Sequence, residues 1–221
     1  MRKVIAAAFL SLDGVMQAPG GPTEDPTGGF EYGGWLSSMF DPAVGETIDG
    51  LFGRPFDLLL GRRTYDIFAA FWPNAGDDQK GIRDPFNACT KYVVTRGNHP
   101  LTWDNSRRVG TIDALAELKR GDGPDLVIQG SSTLYPQLLA AGLLDRLTLM
   151  MFPVVLGSGK RLFGDGTPGA TMTMIEQRVT PSGAVIATYE PAGSVKTSAI
   201  AEPAQNAAEE RRQAAMADGS W

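Results

Sequence analysis

Two segments of this 221-residue chain share a pattern that could bind an anion. In residues 58–65 (LLLGRRTY) and 126–134 (LVIQGSSTL), an apolar run leads to a glycine, and arginine or hydroxyl residues follow it. Each apolar run predicts a buried strand, and the polar residues behind it would start a helix, where free N–H groups favour anions. Two such turns on neighbouring strands suit a dinucleotide diphosphate. The alternative is two ordinary strand-to-helix turns with Thr or Ser as helix caps.

The composition limits the classes of partner. A hydrophobic content of 43% is enough for a single core of ordinary size. The formal net charge of -5 argues against a nucleic-acid or membrane-surface binder, because both need a basic face. Any phosphate must therefore be bound at a local site. No apolar run approaches the roughly 18 residues of a membrane span.

The chain has one cysteine, Cys89, and one histidine, His99. A single cysteine excludes an intramolecular disulfide, and one residue of each type leaves no zinc cluster. We therefore expect a metal-independent protein in the reducing cytoplasm. The opening ten residues imitate a short secretion signal, but a first core strand is the favoured interpretation.

The order of patterns predicts an α/β fold. Strand-like and helix-like stretches alternate up to a closing pair of strands at 171–177 and 184–189, so we expect a mostly parallel central sheet, helices on both faces and an antiparallel C-terminal edge. A Gly- and Pro-rich loop at 17–34 is long enough to be functional or mobile. From residue 191 the composition becomes polar and rich in Ala and Glu. We predict a domain over 1–190 and a tail over 191–221 that is flexible or loosely helical around 204–216.

One further glycine-rich segment does not have the residues of a known nucleotide motif. Residues 157–160 (GSGK) resemble the end of a phosphate-binding P-loop, but Val154 stands at the first glycine position and Arg161 replaces the metal-binding Ser or Thr. The turn at Gly130 lacks the further glycines of the Rossmann fingerprint. An ATPase and a Rossmann dehydrogenase are therefore not indicated.

Five motifs in a fixed order carry a family resemblance. They are residues 11–14 (SLDG), 60–65 (LGRRTY), 94–96 (VTR), 129–134 (QGSSTL) and 152–157 (FPVVLG). Over residues 1–190 the chain resembles the dihydrofolate reductase-like superfamily. Within it, the chain is most similar to the reductase (C-terminal) domain of the bifunctional riboflavin-biosynthesis deaminase/reductase and to its free-standing bacterial relatives. The resemblance implies a dihydrofolate reductase-like fold, NADPH as hydride donor and a small heterocyclic or carbonyl/imine substrate.

The resemblance also implies which residues would bind NADPH. The first turn would hold the diphosphate and the ribose 2′-phosphate region, the residues after the third strand would contact the 2′-phosphate, and the glycine turn would hold the diphosphate. These roles fall on Gly61, Arg62, Arg63 and Thr64, on Thr95 and Arg96, and on Gly130, Ser131, Ser132 and Thr133. Folate reductases carry Gly-Gly where this chain has Gly130-Ser131, which restricts the backbone.

The catalytic acid is left open between three carboxylates. Asp41 and Glu46 lie on the helix where folate reductases carry their acid, but Asp41 could equally be the helix N-cap and Glu46 a solvated residue. Asp13 could line the site or make the turn. Trp35 and Phe152 are the expected substrate-binding residues, with a hydrophobic lid as the alternative role for the aromatic group around Trp35.

Two expectations concern assembly and activity. The resemblance implies a homodimer, and Leu147, Leu149 and Met151 could form an apolar surface for it, although the monomer core explains these residues equally well. The alternatives to a reductase are a nucleotide-binding protein without hydride transfer and a dimeric structural module that binds no nucleotide.

Overall fold

The computed structural model describes residues 1–201 and 206–220 as a sheet flanked by helices. The strands are β1 (Val4–Ser11), β2 (Phe56–Gly61), β3 (Lys91–Val94), β4 (Ser106–Val109), β5 (Asp125–Gln129), β6 (Arg146–Phe152), β7 (Met172–Val179) and β8 (Val185–Pro191). The helices are α1 (Pro42–Phe52), α2 (Arg62–Phe71), α3 (Lys80–Ala88), α4 (Ile112–Arg120), α5 (Tyr135–Ala140) and α6 (Ala207–Asp218).

All strands belong to one sheet with the order β4-β3-β2-β5-β1-β6-β8-β7. The pairs from β4 to β6 are parallel, and β8 and β7 are antiparallel additions at one edge. The predicted sheet type is therefore confirmed. Gly61 at the end of β2 lies opposite Val94 at the end of β3, so the turns that follow these two strands are neighbours.

Side chains alternate between two cores, one on each face of the sheet. On β1, Ala7 packs with α1, α2 and α3, whereas Ala6 and Ala8 pack with α4 and α5 on the other face. Successive side chains of a strand point to opposite faces of the sheet, so each strand contributes to both cores. The central strands are therefore apolar almost throughout. Helices cover both faces, as the sequence predicts.

The loop after β1 is folded back on itself, and we call residues 17–36 the strap. The indole N–H of Trp35 donates to the carbonyl of Gln17 at 2.9 Å, and the Gly34 N–H donates to the carbonyl of Ala18 at 2.8 Å. The two halves touch at Gly33, where a Cβ would lie 2.8 Å from the carbonyl oxygen of Gly21. The strap is thus a defined wall beside the carboxyl ends of the strands.

Two elements are not indicated by the sequence pattern. Helix α3 contains a proline, Pro85, and has one buried residue, Phe86. Strand β4 likewise buries one residue, Val109. The predicted helix at 133–141 begins instead with a 3-10 turn, Ser132–Leu134, before α5.

The predicted tail helix at 204–216 is observed as α6, and its first two predicted residues lie outside the described residues. Helices within 1–201 and 206–220 are all too short or too polar to span a bilayer.

Candidate cofactor and substrate cleft

A cleft of about 840 Å³ opens at the carboxyl ends of β1, β2 and β5. The turns after β2 and β5 form one side of it, and the strap forms another. In open α/β sheets, ligands bind at this edge of the strands. The predicted cofactor residues that line the cleft are Gly61, Arg63, Thr64, Gly130, Ser131, Ser132 and Thr133.

The two glycine turns are bonded to each other. The Gly61 N–H donates to the hydroxyl of Ser131 at 2.9 Å, and the Ser131 N–H donates to the hydroxyl of Thr64 at 2.9 Å. Gly130 has φ +77°, and a Cβ on it would lie 3.0 Å from Cγ2 of Thr64. Only glycine fits this close approach without strain. The predicted pairing of the two turns is therefore a physical contact.

The start of α2 is open toward the cleft. Within the described part of the chain, side chains cap α1 and α4, whereas α2 has no side-chain cap, as is also the case for α3 and α5. The first N–H groups of an α-helix have no intrahelical partner, so an uncapped start can receive an anion. Thr64, in the first turn of α2, lines the cleft at this point.

The three predicted phosphate-binding arginines have different surroundings. Arg62 pairs with Asp66 at 2.8 Å, and its guanidinium also donates to the carbonyl of His99 at 3.0 Å. The bond to Asp66 is an ion pair within α2, which is an ordinary structural role for an arginine. Arg63 and Arg96 are exposed, and neither has an ion-pair partner among residues 1–201 and 206–220. Arg63 lines the cleft, whereas Arg62, Thr95 and Arg96 lie outside its lining.

Asp41 is the N-cap of α1. Its carboxylate accepts from the N–H groups of Ala43 and Val44 at 2.9 and 3.1 Å, and from the Ser182 N–H at 3.0 Å. Hydrogen bonds from Ser182 and Thr180 hold its pKa well below the ordinary value. Asp41 is outside the cleft lining, so the structure gives it the capping role and does not bring it to the cleft.

Asp13 joins the turn after β1 to the loop after β6. Its carboxylate accepts from the hydroxyl of Ser11 at 2.7 Å and from the N–H groups of Leu156 and Gly157 at 3.0 and 2.9 Å. The bond from Ser11 is the largest of the effects that lower its pKa to about 2. A carboxylate so stabilised stays ionised near neutral pH and is a poor proton donor.

Glu46 lies on the side of α1 that faces away from the cleft. Its carboxylate pairs with Arg178 at 3.0 Å, and its side chain is 69% exposed. It lines a separate groove of about 400 Å³ near the amino ends of the strands. Ile48, two residues along α1, lines both spaces, so the helix itself separates Glu46 from the cleft.

Trp35 and Phe152 are core residues behind the cleft wall. Their rings meet edge to face with centroids 5.9 Å apart, and Phe152 is fully buried. Phe152 also packs on Phe9, with centroids 6.2 Å apart, and Phe9 lines the cleft. Of these three aromatic residues, Phe9 lines the cleft, and Phe152 and Trp35 pack behind it.

The cleft lining also includes residues that were not assigned to the site from the sequence, among them Gln17, Glu24 and Asp25 of the strap and Lys160 of the loop after β6. The Gln17 amide donates to the carbonyls of Asp25 and Thr27 and accepts from the Lys160 N–H at 2.9 Å. The Lys160 ammonium pairs with Asp25, and Glu24 stands beside that pair. Irregular loops carry no hydrophobic periodicity, and the GSGK spacing around Lys160 was the one signal available.

The structure is similar to solved structures of one fold. It matches a putative riboflavin biosynthesis protein from Shewanella sp. PV-4 at 22% identity and a TM-score of 0.64, over 86% of this chain and 99% of that one. It matches a pyrimidine reductase-like protein from Corynebacterium diphtheriae at 16% and 0.55, over 86% and 92%. A dihydrofolate reductase from Enterococcus faecalis, complexed with NADP(H), matches at 15% and 0.51, over 86% and 96%. The fold is therefore dihydrofolate reductase-like.

Sequence comparison assigns the family. Residues 2–186 match the model of the RibD C-terminal domain, and the chain belongs to that family. It is also 26% identical over 193 residues to the uncharacterised protein YyaP of Bacillus subtilis (strain 168), covering 85% of this chain and 94% of that protein. Family and fold together place the chain in the class of RibD-like and dihydrofolate reductase-like reductase domains, and the resemblance read from the five motifs is confirmed.

Proposed function

We propose that this protein is an NADPH-dependent reductase that transfers a hydride to a small heterocyclic or carbonyl/imine substrate. The observation that carries the proposal is the bonded pair of turns, in which Gly130 and Ser131 lie against Thr64 beside an uncapped helix start. Within the described residues the start of α2 has no side-chain cap, so its first N–H groups can receive a diphosphate. A bound dihydronicotinamide would supply the hydride.

The residues present fit such a cofactor. A Cβ at position 130 would fill the space against Thr64, so the glycine keeps the backbone of the turn close to α2. Ser132 and Thr133 add hydroxyl groups to the same wall of the cleft. Arg63 and Arg96 supply positive charge in an otherwise acidic protein, and a guanidinium can bind phosphate oxygens in a bidentate manner.

The other half of the cleft suits a small planar substrate. Its wall includes Phe9, Leu36, Phe40 and Ile48, and apolar walls with a few polar groups are typical of small-molecule sites. The strap carries the polar groups, among them Glu24 and Asp25. This apolar wall would hold a planar ring against the cofactor and keep water from the reacting atoms.

We further propose that the protein acts in the cytoplasm, without a metal, and as a homodimer. The strand expected to form the dimer surface, β6, lies inside the sheet between β1 and β8. Leu147 on it is 1% exposed and packs within the monomer core. Leu149 and Met151 of the same strand are partly exposed, and the edge strand β7 is mostly exposed, so either surface is available to a dimer.

The test is cofactor binding by the wild type and by Gly130→Ala. Fluorescence titration should give tighter binding of NADPH than of NADH by the wild type, and weaker binding of both by Gly130→Ala. Gly142→Ala is the matched control, because Gly142 also has positive φ, +62°, but a Cβ there has nothing within 4 Å. Unchanged affinity in Gly130→Ala, or no binding of NADPH by the wild type, would contradict the proposed site.

Turnover assays with the wild-type protein distinguish a reductase from a nucleotide-binding protein of the same fold. NADPH oxidation should be followed by absorbance with pterins, flavin precursors and small carbonyl compounds as acceptors. Turnover with any of them supports the reductase. Tight NADPH binding without turnover across this panel favours the nucleotide-binding protein.

A further inference from the structure

Four charged side chains line the cleft, and two of them are carboxylates. Glu24 and Asp25 come from the strap, Arg63 from α2, and Lys160 from the loop after β6. A reduction of a C=N or C=O group needs a proton as well as a hydride. The group that supplies this proton must hold it near neutral pH.

The Asp25 carboxylate is already engaged in an ion pair and in hydrogen bonds. Its carboxylate pairs with the Lys160 ammonium and accepts from the hydroxyl and the N–H of Thr27. Burial raises the pKa of Asp25, but the hydrogen bonds from Lys160 and Thr27 outweigh burial, so the pKa lies below its ordinary value. Asp25 therefore stays ionised, and it neutralises Lys160.

Glu24 has a different environment from its neighbour. One carboxylate oxygen accepts from the Gly20 N–H at 2.7 Å, and no cation lies within ion-pair distance among the residues that the structure describes. The side chain is half-buried in the cleft wall. A carboxyl group that is partly desolvated and unpaired favours its protonated form.

We infer that Glu24 is the catalytic acid of the cleft, which holds a proton and delivers it to the substrate. The inference rests on the proposed function. Glu24 would give its carboxyl proton to the nitrogen or oxygen of the C=N or C=O group as the π bond opens, while a bound dihydronicotinamide would supply the hydride to the carbon. The cofactor is oxidised, the substrate is reduced, and Glu24 is left as a carboxylate that regains its proton from water.

The surrounding charges support this assignment. Burial raises the pKa of Glu24, the N–H groups of Gly20 and Gly21 lower it in part, and the Asp25 carboxylate raises it further. The nearest ammonium, that of Lys160, is neutralised by Asp25. Arg63 lines the same cleft from α2 and lies on the side of the predicted phosphate site, where a bound phosphate would neutralise it.

The first experiment titrates the carboxyl groups of the full-length protein by carbon-13 NMR, with and without saturating NADPH. Glu24→Gln identifies the Glu24 resonance by its loss, and Glu31→Gln, an exposed glutamate of the same strap, provides the reference. We expect the Glu24 midpoint above that of Glu31, and higher again with NADPH bound because the cofactor excludes water. A Glu24 midpoint at or below that of Glu31 overturns the inference.

The second experiment measures turnover with an acceptor from the panel above. Glu24→Gln should lower kcat by about 10²–10⁴-fold, the usual contribution of a general acid, with the affinity for NADPH unchanged. The wild-type rate should fall as pH rises through the Glu24 midpoint, and Glu24→Asp should retain such a dependence. Wild-type rates in Glu24→Gln overturn the inference.

The failure of the inference is distinguishable from that of the proposed function. If the wild type binds no NADPH, the proposed function fails and the inference fails with it. If NADPH binds normally, and Glu24 has an ordinary midpoint or Glu24→Gln turns over like the wild type, only the inference fails.

Discussion

The N–H of Ser131 donates to the hydroxyl of Thr64 at 2.9 Å, across 67 residues of sequence, and fixes the turn after β5 to the first turn of α2. Ser131 holds φ at +61°, a left-handed conformation that is unusual for a residue other than glycine. Its hydroxyl in turn accepts the Gly61 N–H. A serine at this place therefore supplies a bond that the second glycine of folate reductases could not supply.

Two substitutions of Ser131 distinguish the contribution of its hydroxyl hydrogen bond from the cost of its left-handed backbone. Ser131→Ala leaves the buried Gly61 N–H without a partner and should lower the free energy of unfolding by about 1–3 kcal/mol. Ser131→Gly loses the same bond but relieves a left-handed conformation that costs about 1–2 kcal/mol, so it should be the milder change. Urea denaturation measures both. Equal destabilisation by the two variants would contradict the strain at this position.

The arginine substitutions test the preference for NADPH. The 2′-phosphate adds up to two negative charges, and charge-assisted hydrogen bonds contribute about 1.5–3 kcal/mol each. Arg63→Ala and Arg96→Ala should therefore weaken the binding of NADPH about ten-fold or more and leave the binding of NADH almost unaffected. Arg62→Ala should weaken both cofactors, because Arg62 holds the turn that contains His99.

Fluorescence titration of both cofactors against each arginine variant decides this prediction. Arg120→Ala, on the distant helix α4, is the control for loss of positive charge. Equal affinity of the wild type for NADPH and NADH would remove the basis for a 2′-phosphate site here.

Gly159 allows the loop after β6 to pass close to Val15 and to Phe30 of the strap. It has φ +122°, and a Cβ on it would lie 2.6 Å from Cγ1 of Val15 and 2.9 Å from Cε2 of Phe30. Gly157→Ala is the matched control, because its φ is +76° and a Cβ there has nothing within 4 Å. The control should cost about 1–2 kcal/mol for conformation alone. Gly159→Ala should cost a further ~1–3 kcal/mol through overpacking. Thermal and urea unfolding measure the two variants. Equal stability of Gly159→Ala and Gly157→Ala would contradict the predicted overpacking at position 159.

Asp13 should give stability a defined pH dependence. Its pKa is lowered to about 2 in the folded protein, first by the hydrogen bond from Ser11, against about 3.9 for an unfolded aspartate. The stabilisation is therefore fully present above about pH 3.9 and is lost as pH falls through about 2. Asp13→Asn should lower the free energy of unfolding by about 1–3 kcal/mol at neutral pH, and the difference from wild type should shrink in acid.

Urea denaturation across this pH range measures the Asp13 difference. Asp122→Asn, at an exposed turn, is the control for loss of a negative charge. A difference between Asp13→Asn and wild type that stayed constant down to pH ~2 would contradict the linkage.

The sequence predicts those features of the fold that depend on local pattern. The apolar runs of β2 and β5 and the Asp41-Pro42 start of α1 are local, and each is observed. Strand β4 has one buried residue, and α3 contains Pro85, so neither has a strong periodic signal.

The candidate site shows the same limit. The bonded turns around Gly130 were predictable, since glycine and hydroxyl residues follow strands whose ends must be close. The position of a carboxylate relative to the cleft was not predictable. Glu24 lines the cleft and Glu46 lines the separate groove, and these positions depend on how α1 and the non-periodic strap pack. A long-range bond such as that between Lys160 and Gln17 leaves no mark in a single sequence.

The C-terminal segment should contribute little to the stability of the domain. In the described residues, the hydrogen bonds of α6 are internal, such as that of Arg212 with Glu209, and none of its residues is buried. Near the start of the tail, the Thr171 hydroxyl donates a hydrogen bond to the carbonyl of Ser194 at 3.0 Å. Deleting residues 194–221 removes little buried apolar area, so the Tm should be nearly unchanged. Calorimetry of the truncated and full chains, with light scattering at the same concentration, checks this. A large drop in Tm together with a change in mass would mean that the tail docks across a dimer interface.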